Sequence, residues 1–300
     1  MTHLPKESKI ILYADDIALY CSHEQTSIIS KKLQRDLNKI AIFLKNLNLI
    51  ISDSKTRTML IAPTPNTKCV MDKLTLNYKE LEETDCFKYL GNLIDNNLTW
   101  KNQVNDMCKN SYFALSKLKP SANHMPLDLK LKLYKSLVQP RVEYCSSVWH
   151  RALSSMQAKQ IETVQNRCMS YISGKKLSSV NTGTKFREEL KLEKLHSRRE
   201  LNFATMVYKY FTNRLPKGLE ELMPESSQEI THNYNTRHKE SHANRIPIPL
   251  KYRKNFEKTF HYNAAKLWDI ISSEMKRAAS VHVFKSKFKL LWNPMEPETI

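Results

Sequence analysis

Residues 9–21 read KIILYADDIALYC: two short apolar runs of β-prone side chains flank the pair Asp15–Asp16. That arrangement predicts a hairpin, although the turn lacks the Asn-Gly chemistry that tight loops prefer. Downstream, Thr26 stands where it can cap a helix, and Ile29, Leu33, Leu37, Ile40, Leu44 and Leu47 recur at helical spacing. Arg57 to Ala62 reads as a further strand closed by Pro63 and Pro65, and Phe87 to Ile94 (FKYLGNLI) as one more. The first hundred residues are therefore expected to form an α+β unit.

After Trp100 the pattern turns helical. Val104 to Leu118 is one amphipathic run, and Pro126 opens a second that reaches Val138. Pro140 interrupts it; Ile161, Val164, Cys168 and Ile172 mark a further helix that Gly174 can close. Another helix is expected over Glu188 to Phe211, with Leu201, Ala204, Val207, Tyr208 and Phe211 on one face. Residues 224–249, rich in Ser, Asn, His and Pro, read as a long loop, followed by helices at Phe256 to Met275 and Val281 to Leu291. The expected division is 1–100 (mixed), 101–175 (helical bundle) and 176–300 (helical, with a loop at 224–255).

The 300 residues carry 48 Lys+Arg against 30 Asp+Glu, a net charge of +18. Up to Ile172 there are 24 basic and 16 acidic residues, and beyond it 24 and 14, so both halves are basic. A polyanion such as RNA or DNA is the natural partner, since phosphate contacts release condensed counterions; a merely soluble basic protein is the bland alternative. Four glycines and no GxGxxG or GxxxxGK[ST] pattern argue against a glycine-rich phosphate loop. The six cysteines show no CxxC or paired-histidine spacing, which fits free thiols rather than zinc ligands. No secretory leader pattern and no long apolar run is present, so an intracellular location, nucleus and cytoplasm, is expected.

Tyr13-Ala14-Asp15-Asp16 is the sharpest local feature. Adjacent aspartates on a tight turn can share divalent cations, and Mg2+ prefers hard oxygen ligands while keeping waters and phosphates in its other positions. Two such ions can activate a primer 3′-hydroxyl and stabilise a pyrophosphate leaving group. A bare Asp-Asp pair equally suits an ordinary solvated turn.

YADD between two strands resembles the palm motif of reverse transcriptases, and further blocks follow in the order of non-LTR (LINE-type, jockey-like) retrotransposon enzymes. Ser54-Lys55-Thr56 resembles the lysine motif after the palm helix. Lys88-Tyr89-Leu90-Gly91, then Ile94-Asp95, Leu98 and Trp100, resembles the primer-grip region. Val138 to Tyr144 (VQPRVEY) with Trp149 resembles a block after the thumb, and Tyr234 to Arg237 (YNTR) with Phe260, Trp268 and Phe284-Lys285 resembles the tail. Group II intron enzymes also carry YADD; the KYLG block and the tail favour the non-LTR family.

The resemblance implies RNA-directed DNA polymerase activity with Mg2+, an RNA template, a DNA primer and dNTP. Asp15 would be the main metal ligand, with Asp16 helping to set metal charge and geometry. Tyr13 and Ala14 would lie beside the primer terminus and the incoming nucleotide. Lys55 would neutralise the triphosphate or protonate pyrophosphate, and Lys88, Tyr89, Leu90 and Gly91 would shape the primer grip. A solvated lysine at 55 and plain core packing at Tyr89 and Leu90 are the alternatives. Family palms also need an aspartate on an earlier strand and a set of fingers, neither of which precedes Tyr13 here, and the palm helix reads Ile42-Phe43 where the family has tryptophan. The expectation is therefore a carboxy-terminal part of the polymerase, inactive alone, or a silent nucleic-acid-binding remnant. Near the end, Arg237, Lys239, Arg245, Lys251, Arg253, Lys254 and Lys258 interleave with Tyr234, Tyr252, Phe256 and Phe260, which suits either phosphate contact with base stacking or a solvated loop entering an amphipathic helix.

Overall fold

The computed structural model describes residues 7–62, 64, 69–174, 180–216, 248 and 254–292. The expected loop at 224–249, the YNTR block and most of the interleaved basic segment lie outside the described residues. The chain divides into two units, 1–98 and 99–300, and the expected helical bundle and helical carboxy-terminal region fall together in the second. The α+β class is observed: short antiparallel hairpins, one parallel strand pair and one helix, followed among the described residues by helices.

In the first unit, β1 (Lys9–Tyr13) pairs antiparallel with β2 (Asp16–Tyr20), in the register Leu12↔Ile17 and Tyr13↔Asp16. Helix α1 (Thr26–Asn46) follows. Thr26 does not cap it; Gln25 holds the cap position without a side-chain bond, and Thr26 is already helical. The apolar stripe of α1 meets the segment after it: Ile29 is buried with Met71, Leu74, Leu76 and Leu81, and Leu33, Leu37, Ala41 and Leu60 pack against them.

The strand expected over 57–62 shrinks to β3 (Arg57–Thr58), which pairs parallel with β6 (Glu82–Glu83). Past Thr58 the segment finds no ladder partner among the described residues, and Leu60 turns into the core instead. A hairpin that the sequence reading missed joins β4 (Thr75–Leu76) to β5 (Lys79–Glu80) through Asn77 and Tyr78, both at positive φ. The single strand expected over 87–94 is a second hairpin, β7 (Cys86–Tyr89) and β8 (Asn92–Asp95). Its turn is Leu90–Gly91 at φ 46° and 80°. Two central residues at positive φ match the right-handed strand twist, and glycine takes one of them without steric cost.

The second unit begins with α2 (Lys101–Leu118), α3 (Leu127–Leu133), a π-helical turn (Tyr134–Val138) and a 3-10 turn (Gln139–Val142) that contains Pro140. Short α4 (Ser146–Trp149) leads to α5 (Ser155–Ser173), opened by a Ser154/Gln157 capping box and closed by Gly174 at φ 69°. The helix expected over 188–211 is two, α6 (Val180–Glu189) and α7 (Leu195–Phe211), because Lys191 adopts φ 52° between them and breaks the hydrogen-bond ladder. The run expected over 256–275 divides into a 3-10 turn (Lys254–Lys258), α8 (Phe260–Ile270) and α9 (Ser273–Lys276), with Thr259 and Ser272 each capping a new start. Helix α10 (Val281–Leu291) ends the described chain but for Trp292.

Phe203, Ala204, Val207 and Tyr208 of α7 pack with Ala264, Leu267 and Trp268 of α8 and Phe284 and Phe288 of α10. The Tyr208 and Phe284 rings stack with centroids 4.3 Å apart, and Phe211 stacks on Trp268 at 4.0 Å. Trp149 and Trp268 are buried, and Trp292 is half-buried with its ring stacked on Phe288. All six cysteines are free thiols.

Candidate active site at the Asp15–Asp16 hairpin

Two short runs of apolar, mostly β-prone side chains form the strands, and the ladder leaves only Ala14 and Asp15 for the turn. Ala14 sits at φ 52°, a left-handed conformation that costs a residue with a Cβ on the order of 1 kcal/mol. Asp15 tips the turn, and Asp16 opens β2 opposite Tyr13, so those two side chains share one face of the ribbon. Both aspartates are exposed, and neither forms an ion pair among the described residues. Tyr13 is 64% exposed, and no hairpin residue from Lys9 to Tyr20 is fully buried. The site is an open ribbon rather than a closed cleft.

What fixes the ribbon is a residue the sequence reading passed over. Asp36 of α1 is buried, and its Oδ2 accepts hydrogen bonds from the Glu7 and Ser8 amides at 3.0 and 2.9 Å and from Ser8 Oγ at 2.8 Å. Lys39 Nζ lies 2.7 Å from its other oxygen. A buried carboxylate must be compensated in this way, and the result ties the chain to α1 immediately before β1. The available signal was a carboxylate standing between Leu33 and Leu37 on an otherwise apolar stripe.

Lys55 is exposed in the turn that follows α1, where its amide and that of Thr56 bond to Ser52 O at 3.3 and 3.0 Å. No hydrogen bond or ion pair joins Lys55 to Asp15 or Asp16. In the same turn Asp53 pairs with Lys79 at 2.9 Å, and that hydrogen bond lowers the Asp53 pKa. Lys88 is exposed on β7, Leu90 and Gly91 form the turn, and the half-buried Tyr89 has a hydroxyl with no partner among the described residues. Thus Tyr13, Ala14, Asp15 and Asp16 form one contiguous element and Lys88 to Gly91 a second; Lys55 stands on a third.

Mg2+ is commonly held by one or two carboxylates together with substrate phosphates. The adjacent, unpaired carboxylates of Asp15 and Asp16 fit that donor set. Among the described residues no cluster of three or more His, Cys, Asp or Glu side chains could hold a metal unaided.

The second unit holds a cluster of opposite character. Arg199 and Glu200 of α7 are buried with His150; Arg199 Nη2 lies 3.3 Å from Glu162, and Glu200 receives Arg151 and His150 Nε2, the latter at 3.1 Å. Burial outweighs the attraction of Glu200 and pushes the His150 pKa down to about 4. The ring is then neutral at pH 7, donating Nε2–H to Glu200 while Nδ1 accepts from Arg199 Nε at 3.4 Å. Burial raises the Glu200 pKa, but hydrogen bonds from His150 and Arg151 override it and hold the carboxyl at about 2. With His150, Arg199 and Glu200 buried and Arg151 and Glu162 at its edge, this network joins helices.

Residues 1–94 match the protein family described as Reverse transcriptase (RNA-dependent DNA polymerase). The chain is 26% identical over 173 residues to the RNA-directed DNA polymerase from mobile element jockey of Drosophila funebris, covering 56% of this chain and 18% of that protein. It is 28% identical over 175 residues to the probable RNA-directed DNA polymerase from transposon BS of Drosophila melanogaster, covering 56% and 19%. Over 157 residues it is 22% identical to the Pol polyprotein from type-1 retrotransposable element R1 2 of Nasonia vitripennis, covering 48% and 37%. The chain thus spans less than a fifth of the length of the jockey and BS relatives. No solved structure matches it. The hairpin, α1, the Lys55 turn and nearly all of β7–β8 fall inside a segment that matches the reverse transcriptase family, in a chain similar to polymerases of jockey-type mobile elements.

Proposed function

We propose that this chain is part of the RNA-directed DNA polymerase of a non-LTR retrotransposon, working on an RNA template, a DNA primer and dNTP, in the nucleus and cytoplasm. The observation that carries the reading is the pair of exposed, unpaired carboxylates at the strained turn of an antiparallel hairpin, inside the family-matched segment. Asp15 and Asp16 hold the cation; Mg2+, when bound, offsets triphosphate charge and eases deprotonation of the primer hydroxyl. Tyr13 and Ala14 line the primer terminus, Lys55 balances the triphosphate, and the Lys88–Gly91 hairpin grips the primer. In this reading a further carboxylate completes the metal site from outside the hairpin.

Residues 9–94 exchanged into the jockey polymerase should support Mg2+-dependent DNA synthesis on a primed RNA, with Asp15→Asn lowering the rate by a factor of ~10³ or more. Synthesis untouched by Asp15→Asn would refute the assignment. A silent nucleic-acid-binding remnant is the second reading, favoured by the excess cation in both halves; for it, the exchanged segment would give no synthesis at all while the parent protein still binds RNA.

A further inference from the structure

Helices α2 and α5 lie side by side. Gln160 Nε2 donates to Asn105 Oδ1 at 3.1 Å, and the Arg167 guanidinium sits 4.5 Å from the Tyr112 ring centroid. Both contacts join residues at the same sequence offset, so the two helices run in the same direction. Val104, Met107, Ile161 and Val164 turn inward and are buried. The outward side carries Lys109 and Lys117 of α2 and Lys159 and Arg167 of α5, all exposed, and among the described residues none has a carboxylate within ion-pair distance.

Each helix carries a single acid. Asp106, the one acid of α2, is bonded by Asn110 Nδ2 at 2.9 Å. Glu162, the one acid of α5, is turned to α7, where it accepts from the His196 amide at 2.7 Å and from Arg199. Phe113 is 60% exposed, with Lys109 and Lys117 one turn to either side and Lys117 Nζ 4.5 Å from its ring centroid. An ordinary solvated helix face balances its signs and keeps its aromatic rings inside; this one carries more cations than acids, around an aromatic ring that faces water.

We infer that the α2–α5 face binds an unpaired polynucleotide strand, with Phe113 stacking on a base and Lys109, Lys117, Lys159 and Arg167 meeting phosphates. Cationic tracks with exposed rings suit single strands, whose bases are free to stack. A duplex offers phosphates alone, its base faces being already stacked. The Lys117–Phe113 contact is a weak, exposed cation–π pair, and a base readily takes the lysine's place on the ring. The site goes beyond the hairpin reading and needs no metal.

The test uses the full chain with EDTA present, so that metal chemistry at the hairpin contributes nothing. Fluorescence anisotropy compares a short labelled oligouridylate with a duplex of equal length over a salt series. Expected are preference for the single strand, about a tenfold loss with Phe113→Ala, and recovery with Phe113→Trp. Replacing Lys109, Lys117 and Arg167 together by Gln should lower the log–log salt slope by about two units. These positions are exposed, and circular dichroism should confirm an unchanged fold. Binding within about twofold of the parent for Phe113→Ala, or a duplex held as tightly as the single strand, would overturn the inference.

Discussion

In residues 7–98 every strand has a single neighbour, and the buried cluster is small: Ile29, Met71, Leu74, Leu76 and Leu81. From Thr99 onward the described elements are helical, and α7, α8 and α10 bury whole aromatic rings, while Arg199, Glu200 and His150 are enclosed. Two-stranded ribbons are marginal on their own in water, whereas each helix satisfies its own backbone and needs only one face covered. The contrast shows where rigidity resides. The helical unit is held by side chains distant in sequence, and the catalytic candidate stands on a ribbon held chiefly through Asp36.

The sharpest way to break this comparison is Glu200→Ala. It leaves the buried His150 and the Arg151 guanidinium without their carboxylate, and should cost about 3–5 kcal/mol in denaturant unfolding of the helical unit. A loss under about 1 kcal/mol would mean that the network carries little.

Acid should weaken the same unit. With its folded pKa near 4, below the usual 6.5, His150 favours folding above pH 6.5, and that contribution fades as pH falls toward 4. Glu200, held at about 2 against 4.5, adds stability that is lost between 4.5 and 2. Both losses run the same way, so the thermal midpoint of the helical unit should fall steadily below pH 6.5. A flat profile down to pH 4 would contradict the buried neutral histidine.

Thiol reactivity sharpens the contrast within the helical unit. Burial pushes Cys168 up to about 12 and Cys108 up to about 11, while Cys145 is exposed at a left-handed backbone position. Under native conditions a thiol reagent should label Cys145 within minutes and leave Cys108 and Cys168 untouched until denaturant is added. Rapid native labelling of Cys168 would show that the helical core opens more readily than its burial implies.

The smallest effects belong to the turns of the first unit. Gly91→Ala should cost about 1–2 kcal/mol, since φ 80° admits a Cβ poorly. Ala14→Gly should change stability by less than about 1 kcal/mol, because relief at φ 52° is offset by the greater freedom of glycine in the unfolded chain. Equal responses at the two turns would remove the distinction between them.

Much of this was legible because local pattern and tertiary structure agree. The two apolar runs around Tyr13–Asp16, the stripe of α1 and the close of α5 at Gly174 each depend on neighbours in sequence. The Asn77–Tyr78 and Leu90–Gly91 turns escaped because each joins a residue that readily adopts positive φ, Asn77 or Gly91, to one that seldom does, Tyr78 or Leu90. Lys191 broke an expected helix for the same reason. The ion network was invisible for a different one. Arg198, Arg199 and Glu200 look alike on a surface helix, and which are enclosed is decided by Glu143, Glu162 and His150, residues 37 to 55 positions away.

The common direction of α2 and α5 gives their shared face a head and a tail. Backbone dipoles point the same way in both, so partial positive charge gathers at the Lys101 and Ser155 ends, and neither helix has an acid in its first turn to cancel it. Partial negative charge gathers at the opposite ends, where Lys117 lies in the last turn of α2 and the last turn of α5 has no base. An anionic polymer laid along this face therefore meets a potential that slopes along its length. A strand reversed end for end would present its phosphates to a different field, and the surface can in that sense tell one direction of travel from the other.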